Sequence, residues 1–195
     1  MKTGIFSGSF NPIHVGHLVL ANYMCEYEGF DDVWLMVSPH NPLRERNPQE
    51  EDIHRVNMVR LAVEKHTRLK CSDFEFSLPA PSYTIHTLDA LRTAFPDRNF
   101  SLIIGADNWL LFPRWKEYRR IIDEYDVCIY PRPGYPIAPD EPLPPRVRTT
   151  AAPVMEISST FIREGIAAGK DMSYFLTEPV YELSLIHISE PTRHL

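Results

Sequence analysis

Long apolar runs are absent from this 195-residue sequence, and cysteine is scarce. No stretch approaches the roughly 20 apolar residues that a membrane-spanning helix needs, and the opening MKTGIFSGSF turns polar too early for a signal peptide. The three cysteines, Cys25, Cys71 and Cys128, are widely spaced and form no CxxC pair. These absences exclude a membrane span and a disulfide scaffold, and they indicate a reduced, cytoplasmic protein.

Basic residues are also in the minority. The 20 Lys and Arg residues stand against 26 Asp and Glu residues, which gives a net charge of −6 and a pI near 5.7. A general nucleic-acid binder would be basic, so that class is excluded, whereas a local basic pocket for a small anion is not. The sequence also lacks a Walker A loop, a GxGxxG fingerprint and any internal repeat.

What the sequence does contain is a regular alternation of strand-like and helix-like segments. Some strand candidates, such as DDVWLMVSP and FSLIIGAD, are apolar on both sides, which is typical of central strands in a parallel sheet. We therefore predict an α/β fold, a Rossmann-like doubly wound parallel sheet with flanking helices. The predicted strands cover 3–7, 31–39, 69–76, 100–107, 126–132 and 152–158, and the predicted helices cover 16–29, 53–65, 82–95, 112–125 and 159–170.

Two segments depart from this alternation. Seven prolines from Pro131 to Pro145 exclude a central strand or helix and indicate an extended surface loop. The end of the chain, ELSLIHISEPTRHL, lacks the amphipathic rhythm of the earlier helices. We predict a single domain over 1–182 and a non-native tail over 183–195, whose removal should leave stability and activity intact.

The segment GSFNPIHVGHL, residues 8–18, places His14 and His17 three residues apart after the first predicted strand. Zinc would need three or four ligands, and no nearby Cys, Asp or Glu completes such a set. Two surface histidines at a helix start are a second interpretation. A turn of small residues that leads into a helix exposes free backbone N–H groups at a positive helix end. An anion site therefore fits best, with the imidazoles as additional donors.

A second polar segment, EISSTFIREG, covers 156–165 and opens the last predicted helix. Ser158, Ser159 and Thr160 are residue types that cap helices, and capping is the simplest interpretation. The same hydroxyl and N–H groups can hold phosphate oxygens, with Arg163 as a two-pronged donor. The sequence leaves both interpretations open.

Together, GSFNPIHVGH and the distant ISSTFIR resemble the paired motifs of the nucleotidyltransferase superfamily of adenylyl- and cytidylyltransferases. More closely, the chain is similar to bacterial nicotinate-nucleotide (nicotinate mononucleotide) adenylyltransferases. The stretches PHNP, PSYTIHTL, GADNWLLFPRWKEY and RPG follow in that family's order and spacing. The resemblance covers about residues 3–181 and implies a fold of the nucleotidyltransferase type. It implies an enzyme of NAD biosynthesis that joins ATP and nicotinate mononucleotide into nicotinate adenine dinucleotide, with release of pyrophosphate.

The resemblance also implies which residues bind ATP and act on the transferring phosphate. The catalytic residues would be His14, His17 and Arg163. The further ATP contacts would be Gly8, Ser9 and Phe10 in the first motif, Ser158, Ser159 and Thr160 in the second, and Asp107 at the end of a buried strand. Mg²⁺ is expected with ATP, held mostly by phosphates and water, and no protein metal site is expected.

For the acceptor, the resemblance implies three elements. Trp115 would stack on the pyridine ring, while backbone N–H groups near Thr84 and Lys116 would meet the carboxylate. A basic loop would contact the acceptor phosphate through His40, Arg44 and Arg46. Neither a nucleic acid nor a membrane is expected as a partner, and the sequence leaves homo-oligomers open.

Three alternative functions have to be distinguished from the nicotinate-nucleotide adenylyltransferase activity that the resemblance implies. A phosphopantetheine adenylyltransferase would share the histidine and ISST motifs but not FPRWKEY, and a cytidylyltransferase is a weaker alternative. A non-catalytic nucleotide-binding regulator could use the same fold, although such a protein has no need of His14, His17 and Arg163. Release of pyrophosphate with each acceptor distinguishes these functions.

Overall fold

One six-stranded sheet organises the protein, whose computed structural model describes residues 1–39, 48–138 and 142–188. All neighbouring strands run parallel, in the order β3-β2-β1-β4-β5-β6. This arrangement confirms the predicted doubly wound sheet. The strands are β1 (Lys2–Gly8), β2 (Asp32–Val37), β3 (Leu69–Ser72), β4 (Asn99–Gly105), β5 (Asp126–Tyr130) and β6 (Val147–Thr149).

Helices connect and cover these strands. In the described residues they are α1 (Val15–Tyr27), α2 (Pro48–Val63), α3 (Thr84–Ala94), α4 (Ala106–Leu111), α5 (Tyr118–Glu124), α6 (Ser159–Ala167) and α7 (Glu178–Ile188). Short 3-10 turns occupy Phe74–Ser77, Phe112–Arg114 and Ser173–Phe175. None of the helices in these parts of the chain is long and apolar enough to cross a membrane.

The sheet has a separate apolar core on each face. Buried residues of α1, α2, α6 and α7 pack on one face, and buried residues of α3 and α5 pack on the other. Side chains that alternate along a strand serve the two faces in turn, so Leu35 of β2 belongs to the first core and Met36 to the second. This double burial explains why the strand candidates are apolar throughout.

The chain changes direction between β1 and β4. From β1 it passes to β2 and β3 on one side, and after α3 it returns to β4, which pairs with the other edge of β1. Connections on the two sides of this point leave a crevice at the carboxyl ends of the strands, where ligands bind in sheets of this kind. Gly8 and Gly105 end the two strands there.

Four element predictions are wrong in their boundaries. Helix α2 begins at Pro48, ahead of its predicted start at residue 53, so Asp52 lies inside it and pairs with Arg55. Strand β3 ends at Ser72, after which Phe74–Ser77 form a 3-10 turn.

The other two corrections are larger. The helix predicted over 112–125 is broken, because Glu117 adopts a left-handed conformation (φ 53°) and α5 begins only after it. The sixth strand is Val147–Thr149, and the predicted segment 152–158 forms neither strand nor helix.

Helix α7 continues past Glu182, the predicted end of the domain, to Ile188. Leu183 packs against the first core, and Ser184 is buried with its hydroxyl 3.6 Å from the Met58 sulfur. Residues 189–195 lie outside the described residues. The assignment of 183–195 as a non-native tail therefore remains a prediction, but its first residues belong to a packed helix.

At the amino ends of the strands, the buried carboxylate of Asp32 links β2 to β1, to β3 and to the residue before β4. Asp32 is 2% exposed and accepts hydrogen bonds from Thr3, Trp34, Lys70 and Arg98. Burial alone would raise the pKa of Asp32, but these hydrogen bonds outweigh it and lower the pKa. This cluster lies at the amino ends of the strands, on the side of the sheet opposite the crevice at their carboxyl ends.

Candidate active site at the carboxyl edge of the sheet

The first motif forms a tight turn between β1 and α1. Gly8 ends the strand, Ser9 is exposed, and Phe10 takes the left-handed conformation (φ 47°) with its ring buried. That conformation costs a non-glycine residue about 1–2 kcal/mol. The Phe10 ring packs edge-on against Phe6 and His17, at centroid distances of 5.8 and 5.0 Å. This packing offsets the cost.

The two histidines are stacked on each other at the start of α1. Their ring centroids lie 3.7 Å apart, with an angle of 24° between the planes. A Cβ on Gly16 would stand 3.1 Å from His14 Nδ1, so glycine at that position lets the imidazole lie against the helix backbone. The backbone N–H of His14 donates to Nδ1 of His17 at 3.3 Å. The proton of a neutral His17 therefore sits on Nε2, which remains available to a ligand.

Both imidazoles are neutral at neutral pH. Burial, followed by the charge of Arg132, lowers the pKa of His14 to about 4. Burial is also the main reason that the pKa of His17 lies well below its usual range, with further contributions from His14 and Arg132. In the absence of a ligand the pair therefore offers neutral N–H donors instead of cations.

The second motif lies directly against the first. Ser158 caps α6, because its Oγ accepts the Phe161 N–H at 3.1 Å. The Ser159 hydroxyl donates to the Pro12 carbonyl at 2.9 Å. Arg163 donates to the Asn11 carbonyl at 2.5 Å and to the Thr160 hydroxyl at 3.1 Å. The structure thus brings the two motifs together, and all four predicted residues of α6 have partners within the protein.

Asp107 lies at the start of α4, immediately after β4. Its Oδ1 is buried without a hydrogen bond and stands 3.4 Å from Nε of Arg132. A Cβ on Gly105 would approach this oxygen to 2.3 Å and Arg132 Cγ to 2.9 Å, so the strand must end in glycine for both side chains to fit. Asp107 and Arg132 form a charged pair between the strand ends.

Two small cavities meet at the strand ends. The first, of about 30 Å³, is lined by both histidines and by Arg132, and Pro153, Met155 and Ile157 form part of its wall. The second, of about 120 Å³, is lined by Thr84, Gly105, Asn108 and Trp115. Phe6 and Tyr130 line both cavities, so the two adjoin each other.

The predicted acceptor residues divide into two groups. Thr84 begins α3, and half-buried Trp115 packs against Phe112 at a centroid distance of 5.0 Å, so both border the second cavity. Lys116 is exposed, and its Nζ lies 4.5 Å from the centre of the Tyr83 ring. The other group, His40, Arg44 and Arg46, lies outside the described residues.

Two arginines of the site were not among the predicted residues. Arg132 belongs to the RPG stretch, and its position directly after a strand end could have marked it. Arg55 is 1% exposed and donates to the Ser9 carbonyl at 2.6 Å and the Ser38 carbonyl at 2.8 Å. It lies on α2, 46 residues after Ser9, so no local pattern indicates its role.

With this geometry in place, comparison with known proteins assigns a class. The family described as cytidylyltransferase-like matches residues 5–165, which include both motifs and the strands that form the crevice. Fold and site therefore define a nucleotidyltransferase of the cytidylyltransferase-like class.

Individual relatives narrow that class. A "Probable nicotinate-nucleotide adenylyltransferase" from Bacteroides fragilis is 56% identical over 181 residues, 93% of this chain and 90% of the relative. A protein of the same name from Bacteroides thetaiotaomicron is 54% identical over 182 residues, again 93% and 90%. The Plasmodium falciparum nicotinic acid mononucleotide adenylyltransferase complexed with NaAD shares the fold, with a TM-score of 0.75 at 15% identity and 95% coverage of both chains. The chain belongs to the nicotinate-nucleotide adenylyltransferase family, as its sequence predicts.

Proposed function

We propose that this enzyme transfers the adenylyl group of ATP to nicotinate mononucleotide and forms nicotinate adenine dinucleotide and pyrophosphate. The observation that carries the proposal is the pair of adjoining cavities at the switch point of the sheet. One of them holds neutral imidazole donors beside Arg132, and the other lies between an aromatic ring and an open helix start. Two ligands, one in each cavity, would meet beside Phe6 and Tyr130.

The chemistry needs no protein nucleophile. An oxygen of the acceptor phosphate attacks the α-phosphorus of ATP, and the bond from that phosphorus to the bridging oxygen breaks. Pyrophosphate then leaves with the electron pair. Negative charge shifts onto the bridging and non-bridging oxygens, so the enzyme contributes by positioning the reactants and stabilising this charge.

The donors for this charge are those of the two motifs. Nε2–H of His17 and the imidazole of His14 line the first cavity, and Arg163 and α6 lie against the same turn. A bound triphosphate would raise the pKa of either histidine, because an adjacent negative charge favours the protonated ring. Gly8, Ser9 and Phe10 would present the turn, and Asp107 would face the adenosine or the ribose beside it.

On the acceptor side, the start of α3 is uncapped. Tyr83 occupies the N-cap position and provides no side-chain hydrogen bond, so within the described residues no N-cap side chain would compete with a ligand for the first N–H groups of α3 beside Thr84. A carboxylate suits such a helix start. Trp115 offers its indole face to a pyridinium ring, and Lys116 adds a positive charge next to Tyr83.

Mg²⁺ is the proposed companion of ATP. The described residues contain no cluster of three or more His, Cys, Asp or Glu side chains that could hold a metal ion. The ion would be held mainly by phosphate oxygens and water and would neutralise charge on the triphosphate. A cytoplasmic location and the absence of nucleic-acid or membrane partners belong to the same proposal.

The deciding experiment measures pyrophosphate release from ATP with three acceptors in parallel: nicotinate mononucleotide, nicotinamide mononucleotide and phosphopantetheine. We expect the highest kcat/KM with nicotinate mononucleotide and chromatographic detection of the dinucleotide. Release with phosphopantetheine alone would identify the sister enzyme. ATP binding without release from any acceptor would identify a regulator.

A further inference from the structure

A buried acid contacts α3, the helix that begins at the acceptor cavity, without taking part in the proposed chemistry. Glu75, in the 3-10 turn Phe74–Ser77, is 7% exposed. Its Oε1 accepts the Thr87 hydroxyl at 3.0 Å. The Ser38 side chain lies close enough to the carboxylate to counter the rise in its pKa that burial causes. Within the described ranges, no ion pair joins Glu75 to a cation. A carboxylate buried with hydroxyl partners alone is costly, so its place in the fold requires a reason.

Thr87 connects this carboxylate to the first turn of α3. It is 2% exposed, and its backbone N–H closes that turn on the Tyr83 carbonyl at 3.1 Å. Like α4 and α5, α3 has no capping side chain to hold its first turn. The hydrogen bond from Thr87 to Glu75 anchors the turn from its buried side, and no N-cap side chain in the described part of the chain occupies the N–H groups beside Thr84.

Ser38 connects the same carboxylate to the phosphate turn. Directly after β2, its N–H donates to the Gly8 carbonyl at 3.0 Å, and its own carbonyl accepts from Arg55. Arg55 also holds the Ser9 carbonyl. A series of contacts, partly buried at Arg55, therefore runs from Ser9 through Arg55 and Ser38 to Glu75, and from there through Thr87 to α3.

We propose that Glu75 is a positioning residue, which acts through Thr87 and Ser38 to hold the open start of α3 at a fixed place relative to the phosphate turn. The inference rests on the proposed function, because the start of α3 is the proposed seat of the acceptor carboxylate. Glu75 touches no substrate. It sets where the backbone donors for the acceptor stand, and therefore acts on acceptor binding more than on ATP binding.

The test compares Thr87→Val, which removes the hydroxyl at nearly constant volume, with Thr87→Ser, which keeps it. Thr93→Val makes the same change at an exposed position of α3, where the hydroxyl bonds only to the Asp89 carbonyl. We expect Thr87→Val to raise KM for nicotinate mononucleotide about three- to tenfold, the scale of one lost hydrogen bond. KM for ATP should change less than twofold, and Thr87→Ser and Thr93→Val should behave like the wild type.

A second measurement does not depend on activity. Hydrogen exchange of the residue 87 amide, which is bonded to the Tyr83 carbonyl, should accelerate about tenfold relative to its intrinsic rate in Thr87→Val and in Glu75→Ala, and return to the wild-type protection in Thr87→Ser. If the wild type makes no dinucleotide, the proposed function fails, and the exchange rates alone then decide the role of Glu75. Unchanged exchange in Thr87→Val, or equal increases in both KM values with a lower melting temperature, would overturn the proposal.

Discussion

The imidazole of His17 owes its protonation state and its direction to two neighbours, His14 and Phe10, and to its burial. The His14 backbone N–H occupies Nδ1, the stacked His14 ring and Phe10 hold the plane, and burial keeps the ring neutral. A fixed donor costs little reorganisation when charge develops on a phosphate oxygen, and such donors stabilise a transition state more than a ground state.

We therefore expect His17→Ala to lower kcat by about 10²–10³, the range for loss of one such donor, with a smaller change in KM for ATP. The measurement is steady-state turnover at saturating ATP and nicotinate mononucleotide. His66→Ala, at an exposed histidine in the turn after α2, is the control and should turn over normally. A folded His17→Ala protein with near-normal kcat would contradict the assignment.

Trp115 is the residue on which acceptor specificity depends most directly. It borders the second cavity, while Phe112 supports its ring from behind. Stacking of an indole on a pyridinium ring contributes about 1–2 kcal/mol when water is excluded, so Trp115→Ala should raise KM for nicotinate mononucleotide about five- to thirtyfold. KM for ATP should stay nearly constant, and Trp115→Phe should recover part of the loss. Equal weakening of both substrates would instead show that the indole is a packing residue.

At the scale of elements, α7 changes the expectation for the end of the chain. The sequence pattern alone predicts that a stop after Glu182 is neutral, whereas the structure shows Leu183 and Ser184 packed beyond that point. A stop after Glu182 leaves only five residues of α7 and exposes this contact, which costs about 2 kcal/mol and lowers Tm by about 4–8 °C. A stop after Ile188 should leave Tm within about 2 °C of the full chain. Thermal unfolding of the two truncated proteins gives the answer, and equal Tm values would restore the original boundary.

The class of fold could be predicted from the sequence because a central parallel strand buries both faces and is apolar throughout. Three residues of an edge strand carry too little of that signal, and β6 was missed for this reason. The apolar character of the segment 152–158 predicts a strand, yet Pro153, Met155 and Ile157 line a cavity. The helix break at Glu117 has no signal in the sequence, because a left-handed conformation is usually found at glycine or asparagine.

The same limit applies to the candidate site. The two motifs were found because each is a short, dense run of polar residues at a helix start. Arg55 and Glu75 act through partners that lie 46 and 12 residues away, and each is a single charged residue in an ordinary surrounding sequence. Their burial, which makes them notable, exists only in the folded chain.

For the molecule as a whole, Asp32 makes stability depend on pH. Hydrogen bonds and cations depress its pKa in the folded state, so its contribution is complete above the unfolded pKa of about 4 and is lost as pH falls through the folded value. We expect Asp32→Asn to lower the free energy of unfolding by about 2 kcal/mol at pH 7 and by less at pH 3. Asp126→Asn, which removes an exposed partner of Arg146, should cost less than about 0.5 kcal/mol. Denaturant unfolding between pH 7 and pH 3 measures both, and parallel pH curves for wild type and Asp32→Asn would contradict the role of Asp32.

The two cores of the sheet have a consequence for how such an enzyme can diversify. Most of the predicted ATP residues lie at α1 and α6, which pack on one face, whereas α3, the segment with Trp115 and Asp107 on α4 belong to the other. The sheet therefore separates the residues of the two faces, which face each other only across the carboxyl ends of its strands. Substitutions that refit the second face to another acceptor leave the packing of the first face intact. Residues of the second face can therefore change to suit another acceptor while the ATP-binding residues at α1 and α6 are kept.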